Sequence, residues 1–207
     1  MMLPKDSSMT RTITRLYDDY AHAAAAAAAL ERLGVARSDI GLVANNLDGA
    51  GTVGPAAGDY TLRDEGAGAL IGGAGGLLVG LGLLTIPGIG PVIAAGWLAT
   101  TLAGAVAGGI TGELVGFLQT AGASRHDAHI FWEGVRRGGT LVSARVNGEQ
   151  LGEAESILGG REVVHTVERG ASYLADGWDE FKDTDDAWTS SRVLEERTRR
   201  TAGSTAA

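Results

Sequence analysis

A stretch of 47 residues, from 66 to 112, contains no Lys, Arg, Asp, Glu or His, and 15 of its residues are glycine. It is divided by the segment Ile86-Pro87-Gly88-Ile89-Gly90-Pro91. Two prolines around glycines cannot continue a helix, so this segment predicts a hairpin turn at Pro87, Gly88, Gly90 and Pro91. A leg of about 21 residues on each side would be roughly 31 Å long as a helix, which matches the hydrocarbon core of a bilayer. The stretch therefore predicts an apolar helical hairpin, which we place at 66–122.

The glycines of each leg recur at every fourth residue. Residues four apart lie on one helix face, so each leg would carry a groove where another backbone can approach closely. In water an interior glycine costs roughly 1 kcal/mol relative to alanine, and close helix packing is the simplest way to offset that cost. The predicted helix-packing and oligomerisation residues of this glycine zipper are Gly68, Gly72, Gly76, Gly80, Gly96, Gly104, Gly108, Gly112 and Gly116.

Two interpretations of the hairpin stay open. Large apolar side chains such as Leu77, Leu81 and Leu84 would expose more apolar surface than a soluble monomer tolerates. In the main interpretation the hairpin inserts into the bacterial inner membrane, the lipid bilayer is a partner, and the α/β domain stays in the cytoplasm. In the alternative the protein is soluble in the cytoplasm and self-associates, with the hairpins packed between subunits. The glycine and alanine content makes each leg only weakly hydrophobic on insertion scales, and this favours retaining the soluble alternative.

Composition narrows the function classes. The chain has no cysteine, so disulfides and thiolate metal sites are excluded. Its first nine residues lack the apolar core of a signal peptide. A net charge of −8 argues against nucleic acid as a partner, because phosphate contacts need a basic face.

The segments on either side of the hairpin predict the two halves of an α+β domain. Before it come a strand at 12–17, a helix begun by Asp18 or Asp19, and a strand at 40–44. After it come a helix begun by Ser124, a strand at 140–146, a helix at 149–158 and a strand at 162–167. Without the insertion this order is that of a ferredoxin-like split β-α-β sandwich.

The predicted organisation has six parts. They are a disordered N-terminus at 1–11, the first half-domain at 12–48, a linker at 49–65, the glycine-zipper hairpin at 66–122, the second half-domain at 123–168, and an acidic and charged tail at 169–207. The tail is rich in charge, Gly and Ser, which predicts a mobile segment with one short helix around 176–181.

Three stretches of this sequence resemble a known family. They are Leu16-Tyr17-Asp18-Asp19 with the alanine-rich helix and Ser38-Asp39-Ile40, the segment 86–96 of the glycine-rich block, and Glu133-Gly134-Val135-Arg136-Arg137-Gly138-Gly139-Thr140-Leu141-Val142. They are similar to the bacterial general stress proteins of the 17M type, or heat-induced stress protein YflT domains, over about 12–168. The resemblance implies a non-enzymatic stress protein of structural or regulatory type, with no catalytic residue to carry over. The tail after Gly170 lies outside it.

Three other groups of residues have the composition of possible chemical sites. His126 and His129 have a spacing that can hold a metal, but no carboxylate or thiol partner is evident. Asp18 and Asp19 at a strand end could be a catalytic pair, although helix capping explains at least one of them. The glycines lack the lysine of a phosphate-binding loop.

Arg136 and Arg137, at a predicted helix C-terminus, could meet lipid phosphates or simply complement the helix dipole. The sequence therefore predicts no catalytic, cofactor or metal site. A small-molecule ligand is suggested only by analogy with other ferredoxin-like folds.

Overall fold

A computed structural model describes residues 10–46, 82–107, 114–160 and 162–204. Five strands form one antiparallel sheet in the order β1-β5-β2-β4-β3: β1 (Arg11–Tyr17), β2 (Ile40–Asn45), β3 (Gly82–Ile86), β4 (Gly90–Ala95) and β5 (Thr140–Val146). Seven helices lie in the described ranges: α1 (Tyr20–Arg32), α2 (Gly96–Ala107), α3 (Leu114–Thr120), α4 (Arg125–Arg136), α5 (Leu151–Leu158), α6 (Thr166–Ala175) and α7 (Ser190–Ser204). The predicted α+β class is confirmed.

Two helices begin where their capping signals predicted. The side chain of Asp19 accepts a hydrogen bond from the backbone N–H of His22 at 2.9 Å and starts α1. The hydroxyl of Ser124 accepts one from the backbone N–H of Asp127 at 3.0 Å and starts α4. Each cap satisfies a backbone donor that the first helical turn leaves unpaired.

The sheet is covered on both faces. On one face α1 packs on β1, β2 and β5, and α5 packs on β1 beside it; Ala23, Ala27 and Leu30 of α1 are fully buried there. Alanine side chains are short, so the helix lies close to the sheet. On the other face α2, α3 and α4 enclose a second core, with Trp132 at its centre donating from its indole Nε1 to the backbone carbonyl of Leu114 at 2.7 Å. Both faces of β2, β4 and β5 are therefore buried.

The prediction of a transmembrane helical hairpin is wrong for the residues that the structure describes. Residues 82–86 and 90–95 are strands, and they form a β-hairpin whose turn lies at the predicted prolines and glycines. β4 then pairs with β2, so the apolar run extends the sheet. Within the described ranges no helix combines the length and the apolar character needed to cross a bilayer. The linker at 49–65 and the first leg up to residue 81 lie outside the described residues.

The ferredoxin-like sandwich is not confirmed. β1 and β2 run parallel to each other with β5 antiparallel between them, as a split β-α-β unit requires. The predicted fourth strand at 162–167 makes only one bridge, Tyr17 to Val163, before α6 begins at Thr166. The β3–β4 hairpin instead lengthens the sheet on the side of β2.

The tail predicted to be mobile is largely helical and packed against the domain. Tyr173 of α6, Trp188 of the connecting segment and Val193 of α7 are all buried. The short helix predicted at 176–181 is absent, and these residues connect α6 to α7 without regular structure. The reason is that the tail carries large apolar side chains as well as charges, and both find partners on α4.

Candidate functional site

One side of the molecule is built from elements without a charged residue. β3, the turn at 87–89, β4, α2 and α3 contain no Lys, Arg, Asp, Glu or His. We call these elements the uncharged surface. It includes the outer sheet strand β3, where the side chain of Leu83 is 68% exposed. In a chain of net charge −8, five successive elements of the described structure without a charged residue call for an explanation.

Glycine is needed at two points of this surface for the backbone alone. Gly88 and Gly90, in the predicted turn, have φ of 74° and 95°, a region that other residues seldom adopt. A Cβ on Gly88 would also lie 2.8 Å from the Cα of Asp183. The turn is thus held against the segment that follows α6.

Gly96, at the start of α2, is required for a different reason than the predicted helix packing. Its φ is 63°, and a Cβ there would lie 1.7 Å from the backbone oxygen of Ile40. Gly96 therefore lets β4 turn directly into a helix that lies on β2. No second helix is involved.

The uncharged surface contains a cleft between α2 and α3, with a volume of about 840 Å³. Its floor includes the buried side chains of Leu102 and Leu114. Gly104 and Gly116 line it from the two helices, and a Cβ on either would meet no described atom within 4 Å. The cleft can accept an apolar group of another surface, with glycine backbone exposed on both sides.

Polar groups at the cleft come from neighbouring elements. Arg125 and His129 of α4 line one part, and Glu180 and Asp183, from the segment after α6, line another. The Nδ1 atom of His129 is buried and has no hydrogen-bond partner among the described residues. The cleft is therefore apolar at its floor and carries both signs of charge near its edge.

The predicted packing glycines separate into three groups. Gly104 and Gly116 line the cleft, and Gly96 supports the β4–α2 junction. The other members of the two series, Gly68, Gly72, Gly76, Gly80, Gly108 and Gly112, lie outside the described residues. The role of the series in self-association stays a prediction.

Arg136 and Arg137 have a role that the sequence did not reveal. Both side chains are nearly buried, and both lie beside the fully buried Glu133 one turn earlier on α4. Arg137 donates from Nε to Glu133 at 2.6 Å and from Nη1 to Asp176 at 2.9 Å. Nε of Arg136 lies 2.9 Å from the other Glu133 oxygen, an ion pair without an aligned hydrogen bond.

These arginines belong to a larger ion-pair network that fastens α6 and α7 to the domain, which we call the C-terminal clasp. Asp18 receives both terminal nitrogens of Arg169 at 2.7 Å and one of Arg200 at 2.8 Å. The clasp comprises five arginines and five carboxylates: Arg136, Arg137, Arg169, Arg199, Arg200, Asp18, Glu133, Asp176, Asp185 and Glu196. Its charges balance, which explains how charged groups are tolerated at partly buried positions.

The clasp changes the ionisation of its carboxyl groups. Burial disfavours the charged form of Asp18, but hydrogen bonds from Arg169 and the charges of Arg169 and Arg200 outweigh it and lower its pKa. The hydrogen bond from Arg199, with a further one from Arg137, lowers the pKa of Asp176 to about 2. Both carboxylates are therefore charged at neutral pH and hold their arginines. Asp18 is thus a clasp residue.

The histidines that were candidates for a metal site do not come together in the described structure. His126 faces Gly170 of α6, while His129 lines the cleft. No group of three metal-ligating side chains occurs in the part of the chain that the structure describes. His165, the residue before α6, and His22, beside Asp19, lie on other elements.

Comparison with protein-family models, with curated proteins and with solved structures finds no match to this chain. The resemblance to the general stress proteins is therefore supported only by the three sequence stretches that carry it. The uncharged surface and the clasp are therefore the features of the molecule from which its function can be inferred.

Proposed function

We propose that this protein is a non-enzymatic, self-assembling protein whose copies associate through the uncharged surface. The α2–α3 cleft is the observation that carries the proposal. Its lining glycines, Gly104 and Gly116, sit in helices, where glycine costs roughly 1 kcal/mol relative to alanine. A surface that closes on the two exposed backbones would offset that cost, and a bulky side chain at either position would block it.

Electrostatics supports a second copy as the partner. Two copies that each carry a net charge of −8 repel one another over most of their surfaces. The uncharged surface adds nothing to that repulsion. At the cleft edge, Arg125 of one copy could meet Glu180 or Asp183 of another across a two-fold axis, which would place opposite charges together.

A stress-associated role forms part of the proposal through the sequence resemblance. The sheet, with the split arrangement of β1, β5 and β2, is a platform from which the uncharged surface is presented. The remaining surface provides the charge that keeps assemblies soluble. The ferredoxin-like character of that platform is proposed from the order of the elements predicted by the sequence, together with this split arrangement.

The test is the size of the purified full-length chain in solution without detergent. Light scattering after size exclusion, over a hundredfold range of concentration, should show a defined oligomer. Gly104→Arg should convert it to the monomer, because the arginine fills the cleft and brings a charge into it. A wild-type protein that is monomeric at every concentration would refute the proposal.

Gly152→Arg is the matched control. Gly152 also lies inside a helix, α5, and a Cβ there also meets no described atom within 4 Å. The two variants therefore make the same chemical change at equally open helical sites on different faces. If both lower the oligomeric mass equally, added charge is responsible and the cleft is not the contact surface.

A further inference from the structure

The two edges of the sheet differ in how they are protected. β1 carries the charged side chains of Arg11 and Arg15, and its end is covered where the N–H of Val164 donates to the carbonyl of Leu16 at 2.9 Å. Among the residues that the structure describes, β3 has neither kind of protection. Its sequence, Gly-Leu-Leu-Thr-Ile, contains no charge and no proline, and no described strand pairs with its outer side. Natural edge strands usually carry such protection because a bare edge recruits another strand.

The hydrogen-bond pattern of β4 fixes which β3 groups face outward. The carbonyl of Pro91 accepts from the N–H of Asn46 on the β2 side at 2.9 Å, so Pro91 points its backbone away from β3. Directions alternate along a strand, hence Val92 points its N–H and C=O at its β3 partner, Leu84. The neighbours of Leu84, which are Leu83 and Thr85, therefore direct their N–H and C=O groups out of the sheet.

We propose that β3 pairs with β3 of a second copy, antiparallel and centred on Leu84, so that two five-stranded sheets become one. This inference rests on the proposed self-association and names its geometry. Leu83 of each copy exchanges two hydrogen bonds with Thr85 of the other, and the two Leu84 residues face each other as a non-hydrogen-bonded pair. The two-fold axis makes one strand complementary to itself: each outward donor meets an outward acceptor.

The exposure of Leu83 and the packing of Leu84 are consistent with this register. Leu83, 68% exposed, would lie beside Thr85 of the second copy and lose most of its contact with water. Leu84 lies on the opposite face and packs against the core that also contains Leu102 and Leu114 of the cleft floor. The paired edge is thus continuous with the cleft through that core.

The area that a stable interface buries explains why the second copy would contact both the β3 edge and the cleft. A stable protein interface buries about 1,200–2,000 Å², more than a pair of five-residue strands supplies. The α2–α3 surface lies next to β3 and adds the remainder. The occupant is therefore a second copy docked by its whole uncharged surface.

A chain without cysteine allows a clean cross-linking test. In the proposed register the Cα atoms of the two Leu84 residues lie about 4.5 Å apart, within reach of a disulfide. Those of the two Thr85 residues lie roughly 8 Å apart, beyond it. Leu84→Cys in the full chain should cross-link under mild oxidation, and Thr85→Cys should not, although Thr85 is the more exposed residue.

A second pair of variants covers the case in which Leu84→Cys fails to fold. Thr85→Lys should raise the dissociation constant roughly tenfold or more, since it places a charge on the paired edge. Leu174→Lys, at an exposed position of α6, should leave the dissociation constant unchanged.

The outcomes separate the two proposals. An oligomer in which Leu84→Cys cross-links no better than Thr85→Cys, and which tolerates Thr85→Lys, overturns the β3 pairing and leaves self-association standing. A wild-type protein that stays monomeric overturns both. Preferential Leu84→Cys cross-linking supports both.

Discussion

The guanidinium carbon of Arg137 lies 4.1 Å from the centroid of the Tyr173 ring. The ring of Trp188 lies 4.9 Å from the same carbon, so one cation at the C-terminal end of α4 contacts an aromatic residue of α6 and another just before α7. Two nitrogens of the same guanidinium group donate hydrogen bonds to the carboxylates of Glu133 and Asp176. Arg137 therefore joins the tail to the domain by stacking and by charge together, beside the other ion pairs of the clasp.

Replacing this arginine should be costly. Arg137→Met leaves the fully buried Glu133 with only Arg136 as a charged neighbour, and we expect the free energy of unfolding to fall by about 3 kcal/mol. Urea unfolding followed by circular dichroism measures it. Arg145→Met is the control, because Arg145 also lies over a ring, Trp97, and pairs with Asp39, but its side chain is 39% exposed, against 5% for Arg137. It should cost less than about 1 kcal/mol, and equal losses would contradict a special role for Arg137.

The attachment of α7 includes an apolar contact as well as the ion pairs of the clasp, and two adjacent residues of α7 can test that contact. Val193 is 1% exposed and packs where a Cβ on Gly138 would sit, whereas Leu194, the next residue, is 63% exposed. Val193→Asp should release α7, since it buries an unpaired charge, and Leu194→Asp should not. Limited trypsin digestion should cleave the arginines of α7 roughly tenfold faster in the first variant alone. Rates that rise equally would mean that helix propensity, not docking, is being measured.

Acid should weaken the clasp in a defined direction. The folded-state pKa values of Asp18 and Asp176 are lowered, so both carboxylates contribute stability at pH values above their ordinary pKa of 3.8. That contribution is lost as pH falls below 3.8, and for Asp176 the loss runs to about pH 2. The difference in unfolding free energy between the wild type and Asp18→Asn should therefore be largest near neutral pH and shrink below pH 3.8. A difference that is constant with pH would show that hydrogen bonding, and not charge, gives Asp18 its effect.

Two glycines of one predicted series should respond oppositely to alanine. Gly96→Ala places a methyl group against the backbone oxygen of Ile40 at a positive φ, and we expect a loss of about 2 kcal/mol or more. Gly104→Ala occupies open space in the middle of α2 and should gain up to about 1 kcal/mol in the monomer. Thermal or urea unfolding at low protein concentration measures both. Equal sensitivity would mean that Gly104 is already in contact with a partner surface.

Local signals of the sequence predicted several elements correctly. Asp19 and Ser124 cap their helices because capping involves only three or four neighbouring residues. β5 was predicted from the alternation of Val142, Ala144 and Val146 with polar residues, and these three do face the core under α1 and α5. The turn at Pro87 and Gly88 was predicted because proline fixes its own φ angle and ends a helix, and because glycine adopts backbone conformations that other residues avoid.

Tertiary structure decided what the apolar run becomes. An uninterrupted apolar sequence has no period that distinguishes a helix from a strand buried on both faces, so its length suggested helices. The edge of β2 decided otherwise, since it offers a hydrogen-bonding partner to β4 from Leu42 to Asn45. Nothing within 82–95 itself indicates that a partner strand lies about 50 residues earlier in the chain.

The clasp shows the same division between local and distant information. By itself the sequence determined that the tail is charged, that Arg136 and Arg137 end a helix, and that an acidic pair follows β1. Which charges meet was decided only by the fold, which brings Arg200 to Asp18 across 182 positions of the chain. Ion pairs of this kind have no sequence spacing, because the sheet and α4 set the distance between their partners. A segment rich in charge is therefore mobile or docked according to whether the folded domain presents the opposite charges at the right places.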